Sequence, residues 1–186
     1  MRVFLLFFSI VLMSCSSSRQ SVDATQSGNL DDLIAKKEFR IDATQAFPIV
    51  TTSSNAVISA LTLPNGSNAG NIRLVGQTAY IKMENDIIEG HLPYYGERRL
   101  VTSTFNNSNN GIRFKGTPEK LTITKKTKNR YKINFNIGSD LDTETFQVSM
   151  TLFPNNNCSI SINSTHRTSI SYSGVISEDK EEEVLK

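Results

Sequence analysis

The sequence predicts an all-β fold, an antiparallel meander of short strands, and three observations carry the prediction. Apolar residues recur at every second position through most of the second half, as in Phe146, Val148, Met150 and Leu152 or Tyr131, Ile133, Phe135 and Ile137. Turn residues separate these runs at short intervals, as in Asn85-Asp86, Gly138 to Asp142 and Pro154-Asn-Asn-Asn157. Asn, Ser and Thr are abundant and Trp is absent, a composition that suits strands wetted on one face.

Taken in order, residues 29 to 37 read as a short helix. Asp31 and Asp32 stand in its first turn, Leu30, Leu33 and Ile34 share one face, and Lys36 and Lys37 close it. The period then changes to two, with Phe39, Ile41 and Ala43 alternating with polar residues until Phe47-Pro48. Residues 51 to 71 read as either strand or helix followed by a loop. Strands are expected over Ile72 to Val75, Thr78 to Met83 and Ile87 to Leu92, the last two forming a hairpin. Gly90, Pro93 and Gly96 then punctuate a bend filled by Tyr94 and Tyr95. Further strands follow over Leu100 to Phe105, Ile112 to Phe114, Leu121 to Ile123, Tyr131 to Ile137, Phe146 to Leu152, Cys158 to Ile162 and Ile170 to Ile176. Short connections exclude the long crossovers of a parallel sheet, and a single apolar face has to be buried. The expected architecture is a meander closing as a lipocalin-like barrel, with a two-layer β-sandwich as the alternative.

The N-terminus speaks to compartment. Met1-Arg2 is basic, Val3 to Met13 is almost wholly apolar, and Leu12-Met13-Ser14-Cys15 is similar to the lipobox of bacterial lipoproteins. The run is too short to span a bilayer as a helix, which needs roughly 20 apolar residues. The expected division is therefore a lipoprotein signal peptide over 1–14, a flexible tether over 15–28, one β domain over 29–177 and an acidic disordered tail over 178–186. Acylation of Cys15, palmitate included, would anchor the mature chain. Ser16 stands where an inner-membrane retention aspartate would, so the outer membrane, facing the periplasm of the cell envelope, is the expected location. Only Cys158 then remains as a thiol, an inert buried one by its place among Ile160 and Ile162.

Catalytic signatures are missing. The two histidines, His91 and His166, have no metal-ligand spacing around them, and no nucleophile, phosphate-loop or dinucleotide motif occurs. No catalytic residue, metal or other cofactor is assigned. A formal charge of +2 argues against nucleic acid as a partner. The candidate ligand or partner surface is His91, Tyr94, Tyr95, Arg113 and Tyr172. Lys125, Lys126, Lys128 and Arg130 form a basic tip that could meet anionic lipid headgroups.

Three motifs carry a family resemblance: Leu92-Pro93-Tyr94-Tyr95-Gly96, Gly111-Ile112-Arg113-Phe114 and Ile170-Ser171-Tyr172-Ser173-Gly174. In their order and separation the chain resembles, over roughly residues 30 to 176, a bacterial lipoprotein family of Bacteroidota type known as domain of unknown function 4251. The resemblance implies an envelope lipoprotein and brings no activity with it. Glu97-Arg98-Arg99 departs from the small or aromatic residues usual there, which changes the charge at the bend.

The expected role is a membrane-anchored, non-catalytic binding module for a small apolar or amphipathic molecule. An envelope scaffold that binds another protein is the alternative, and an enzyme of unrecognised class a distant third. Globomycin is expected to block maturation at Cys15; maturation that ignores the drug would remove the lipoprotein assignment.

Overall fold

The computed structural model describes residues 24–52, 55, 56, 58, 63–100 and 111–179. One helix, α1 (Ala24–Lys36), precedes ten strands. These are β1 (Glu38–Pro48), β2 (Ile72–Arg73), β3 (Tyr80–Glu84), β4 (Ile87–Leu92), β5 (Ile112–Gly116), β6 (Glu119–Lys126), β7 (Arg130–Gly138), β8 (Thr145–Leu152), β9 (Asn157–Ser164) and β10 (Ile170–Ser177). All belong to one antiparallel sheet in the order β5-β4-β3-β1-β10-β9-β8-β7-β6, with β2 beside the upper half of β1. A single curled sheet forms, not the two-layer sandwich. The helix begins at Ala24, so it takes in the last residues expected of the tether. The strand expected over Leu100 to Phe105 lies outside the described residues beyond an exposed Leu100.

Curling is enforced by chain connectivity. β5 and β6 end the sheet on opposite sides, yet only Thr117 and Pro118 separate them in sequence. β6 pairs with β7, placing Glu119 opposite Asn136. The chain just before it continues along the same side: Asp140, beyond the end of β7, donates its amide to the Arg113 carbonyl at 3.2 Å and accepts the Lys115 amide on Oδ1 at 2.7 Å. β5 and β6 thus act as one bent strand, the first part paired to β4 and the second to β7. That handover brings the two edges together and makes the sheet barrel-like.

Alternation then decides what is inside. Phe39 and Ile41, Ile81 and Met83, Phe135, Phe146, Val148, Met150, Ile160 and Tyr172 all point inward at 0–1 % exposure. In β1 the buried parity changes from Phe39, Ile41 and Ala43 to Ala46 and Pro48, because a bulge between Ala43 and Gln45 inserts a residue. Gly174 opposite the bulge makes this possible, since a Cβ there would lie 2.3 Å from the Asp42 carbonyl oxygen. Gly90 has a similar role for Phe114, whose ring crosses from β5 over the β4 backbone. Its centroid stands 6.3 Å from that of Phe135 and 5.9 Å from that of Phe146, stapling β4 and β5 to β7 and β8.

The two ends are closed differently. At one, α1 lies across the mouth with Leu30, Leu33 and Ile34 buried. Asp31 meets Lys125 and Tyr131 on the β6–β7 side, while Lys37 meets Asp86 in the β3–β4 turn. Lys37 itself adopts φ 54°, ending the helix with a left-handed residue. At the other end, residues 97–100 pair with the β9–β10 connection, Thr168 donating to the Glu97 carbonyl and Arg99 to that of His166. Of the expected acidic tail, Glu178 faces Lys36 at 3.7 Å and Asp179 binds Lys82 at 2.5 Å; residues 180–186 lie outside the described set.

A Cβ on Gly90 would stand 2.2 Å from Phe114 Cζ. Gly90→Ala is therefore expected to lower stability in urea by about 1–3 kcal/mol, the usual penalty of overpacking, and to do so far less in a Phe114→Leu background. Equal losses in both backgrounds would contradict the stacking.

Candidate functional site

The bend after β4 is built from the inside. Tyr94 is buried, and its hydroxyl lies 2.8 Å from Thr168 Oγ1, 2.9 Å from the Glu97 carbonyl and 3.0 Å from the Thr168 carbonyl. Burial pushes its phenol above the usual range. Gly96 is required beneath it, because a Cβ would sit 2.3 Å from that hydroxyl oxygen. Tyr172 is 1 % exposed and donates to the Pro93 carbonyl at 2.8 Å, its phenol pushed well up by burial. Both tyrosines are pegs that fix the bend, with no ring face turned outward for a ligand.

Next to them lies an ionic cluster that local sequence does not announce. Arg167 is 2 % exposed and Glu144 1 %. Arg167 donates from Nε and Nη2 to the two carboxylate oxygens of Glu144 at 2.7 and 2.5 Å, and from Nη1 to the Gly111 carbonyl at 3.3 Å. Its guanidinium also stands 4.7 Å from the Tyr94 ring centroid. Arg98 reaches Asp142 at 3.2 Å and Glu144 at 3.7 Å, and Ser164 donates to Glu144. Burial alone would raise the Asp142 carboxyl, but the Glu144 amide, Ser139 and Arg98 together hold it below the usual carboxylate range. Both guanidinium charges are matched by carboxylates within the fold, so the cluster binds four segments to one another: residues 97–100, Gly111, the β7–β8 connection and the β9–β10 connection.

The remaining members of the candidate surface do face outward. His91 is half-buried on β4, opposite Tyr80 on β3 and Arg113 on β5. Its ring centroid lies 6.2 Å from that of Tyr80, and Arg113 Nη2 lies 3.4 Å from its Nε2. The Arg40 guanidinium covers the other side of Tyr80 at 4.0 Å. Burial, then the nearby Arg113 charge, holds the His91 imidazole below its ordinary value. Tyr95, further along the same face, donates to Gln77 Oε1 at 2.9 Å. Tyr80 is the residue the sequence reading missed; its register opposite His91 could have been read from the Asn85-Asp86 hairpin.

The basic tip divides. Lys125 is held by Asp31 at 2.7 Å, and hydrogen bonds from Lys125 and Tyr131 pull the Asp31 carboxyl down. Lys126 and Lys128 are exposed, and Arg130 donates from Nε to the Thr127 carbonyl at 3.3 Å. Lys128 and Arg130 also line an open groove of about 540 Å³, together with Phe153, Pro154, Asn155 and Asn157. A second open groove, of about 470 Å³, lies at the β3–β4 turn among Lys82, Glu84, Asp86, Glu89 and Lys115. Cys158 is buried and its thiol pushed up to about 12 by desolvation, which removes nucleophilic character. No group of three His, Cys, Asp or Glu suited to a metal occurs among the described residues. Cys15 lies outside those residues.

Fold and surface define a barrel-like, all-β protein whose inward faces are packed with apolar side chains. The family model described as domain of unknown function (DUF4251) matches residues 21–176, and the chain belongs to that family. A crystal structure of a DUF4251 family protein from Bacteroides eggerthii DSM 20697 has the same fold, with a TM-score of 0.56 at 15 % identity over 86 % of this chain and 92 % of that one. No curated protein matches.

Arg167→Ala is expected to cost about 3–5 kcal/mol in urea denaturation, because it strips a buried carboxylate of its bidentate partner. Replacing the pair together, as Arg167→Leu with Glu144→Leu, should recover part of that loss. A single variant as stable as the parent would contradict the cluster's binding role.

Proposed function

We propose that this chain is an envelope lipoprotein, tethered through acylated Cys15 to the outer membrane on its periplasmic side, that binds an acidic amphiphile without transforming it. The carrying observation is the groove of about 540 Å³ at the α1 end, whose lining combines apolar residues, Phe153 and Pro154, with cationic ones, Lys128 and Arg130. Its size is that of small-molecule sites, which run to roughly 300–1,000 Å³. The inward faces of the barrel are filled by side chains at 0–1 % exposure, so the apolar molecule expected from the sequence is better met outside than in a barrel lumen. An acyl chain on the Phe153 ring, with its carboxylate or phosphate toward Lys128 and Arg130, satisfies both halves of the groove.

The placement of α1 supports the same reading. Asp31 of α1 binds Lys125 on β6 and Tyr131 on β7, the hairpin that also carries Lys128 and Arg130, so the helix nearest Cys15 in sequence is attached at the end of the sheet where this groove lies. A lipid on Cys15 would then hold the groove near the bilayer, where acyl chains and acidic headgroups are concentrated.

The test uses cis-parinaric acid, an acyl-chain carboxylate that fluoresces in apolar surroundings. The full chain should bind it. Lys128→Ala with Arg130→Ala should weaken binding by up to about thirtyfold, since each exposed ion pair contributes at most about 1 kcal/mol. Phe153→Ser should abolish the signal. Unchanged binding in both variants would overturn the groove assignment.

A further inference from the structure

The outer face of β1, β3, β4 and β5 carries two cross-strand rows of polar side chains. One runs Asp42, Tyr80, His91, Arg113 and the other Arg40, Lys82, Glu89, Lys115. Nearly every cation there is answered by an acid. Arg40 binds Asp42 at 2.8 Å, Lys82 binds Asp179 at 2.5 Å and Glu84 at 3.4 Å, and Lys115 binds Glu89 at 2.7 Å. Tyr80 also spends its hydroxyl on Glu89, at 2.5 Å. Arg113 differs: among the described residues its guanidinium has no carboxylate within ion-pair distance, and its side-chain partner is the His91 ring at 3.4 Å.

Arginine only donates, so His91 Nε2 must be the acceptor and the ring hydrogen of the neutral imidazole must stand on Nδ1. The imidazole is in turn packed near Tyr80, which Arg40 covers from the far side. A guanidinium with spare N–H groups is therefore held next to a ring that can gain a proton and a positive charge. These are the two groups that bind carboxylate and phosphate most readily.

We infer that Arg113 and His91 form a seat for an oxyanion, a carboxylate or phosphate monoester, on the outer face of β4 and β5, separate from the groove at the α1 end. The bound group replaces the acid that every neighbouring cation already has. His91 adds a second positive charge to the seat when it takes up a proton, so occupancy and protonation rise together. Groups facing the ring from the elements around it are Tyr80 and Lys82 on β3, Arg113 and Lys115 on β5, Glu89 on its own strand, and Arg40 and Asp42 on β1; Asp140 approaches through the loop against β5. Of these, Arg113 and Glu89 act on the imidazole in opposite senses, Arg113 disfavouring its charged form and Glu89 favouring it.

The experiment is an NMR titration of the imidazole resonances in the full chain, with inorganic phosphate, acetate and chloride compared at matched ionic strength. In chloride, His91 should titrate below its ordinary value of 6.5. Phosphate or acetate should raise its midpoint by about one pH unit, as a close opposite charge does. A response to phosphate alone assigns a phosphate monoester, and a response to both assigns a carboxylate as sufficient. His166, buried and bonded to Thr165, supplies the internal reference resonance. Arg113→Gln, a change at an exposed position, should raise the His91 midpoint in chloride and abolish the anion response. Identical His91 titrations in all three salts, or an anion response in Arg113→Gln equal to the parent's, would overturn the seat.

Discussion

A sheet with one apolar face has two edges to satisfy, and here Thr117 and Pro118 are all the chain that lies between them. Because β5 belongs to β4 and β6 belongs to β7, two residues must carry the backbone from one edge of the sheet to the other, and only a strongly curled sheet brings those edges so close. Other features follow from that closure. Asp140 has to reach the β5 edge with its amide and carboxylate, so the β7–β8 connection is drawn inward and braced by Ser139, Asp142 and Glu144. Phe114, on the closing strand, has to share space with β4, which is why β4 presents a glycine to it. The Arg167–Glu144 pair then fixes the inward-drawn connection to the far end of β9.

The barrel was legible in the sequence wherever strands alternate strictly and turns are short. β7 through β10 fall where the pattern of Ile133, Phe135, Phe146, Val148, Met150, Ile160, Ile162 and Tyr172 puts them, and the Asn85-Asp86 hairpin pairs as its turn residues dictate. Legibility failed where tertiary contacts override local pattern. The bulge after Ala43 reverses the buried face of β1 midway, and its cause, Gly174, is over a hundred residues away. The cluster of Arg98, Asp142, Glu144 and Arg167 is spread across three connections, and nothing in the local order of charges distinguishes these residues from surface ones. Tyr94 and Tyr172 belonged to the candidate surface on sequence grounds; the bend turns their hydroxyls onto backbone carbonyls instead.

The exterior has two unlike halves. On β6 to β10 the outward row Thr122, Asn134, Ser149, Ser161, Ser171 is uncharged, and neighbours bond to one another, as Asn134 does with Thr122 and Ser149. On β1, β3, β4 and β5 most outward positions are charged, and Arg40, Lys82 and Lys115 are each paired with an acid. These arrangements are interrupted at two places: at the α1 end, where Phe153 and Pro154 lie beside Lys128 and Arg130, and at Arg113, whose side-chain partner is an imidazole and not an acid.

The closure itself is open to direct measurement through the Lys115 amide, which the Asp140 carboxylate accepts at 2.7 Å on what would be a free edge of an open sheet. Native-state hydrogen exchange should find this amide protected by a free energy close to that of the central β8 amides, and protection should be lost in Asp140→Ala. Exchange at the rate of an exposed strand edge in the parent chain would mean that the sheet stays open and that β5 and β6 do not run as one bent strand between β4 and β7.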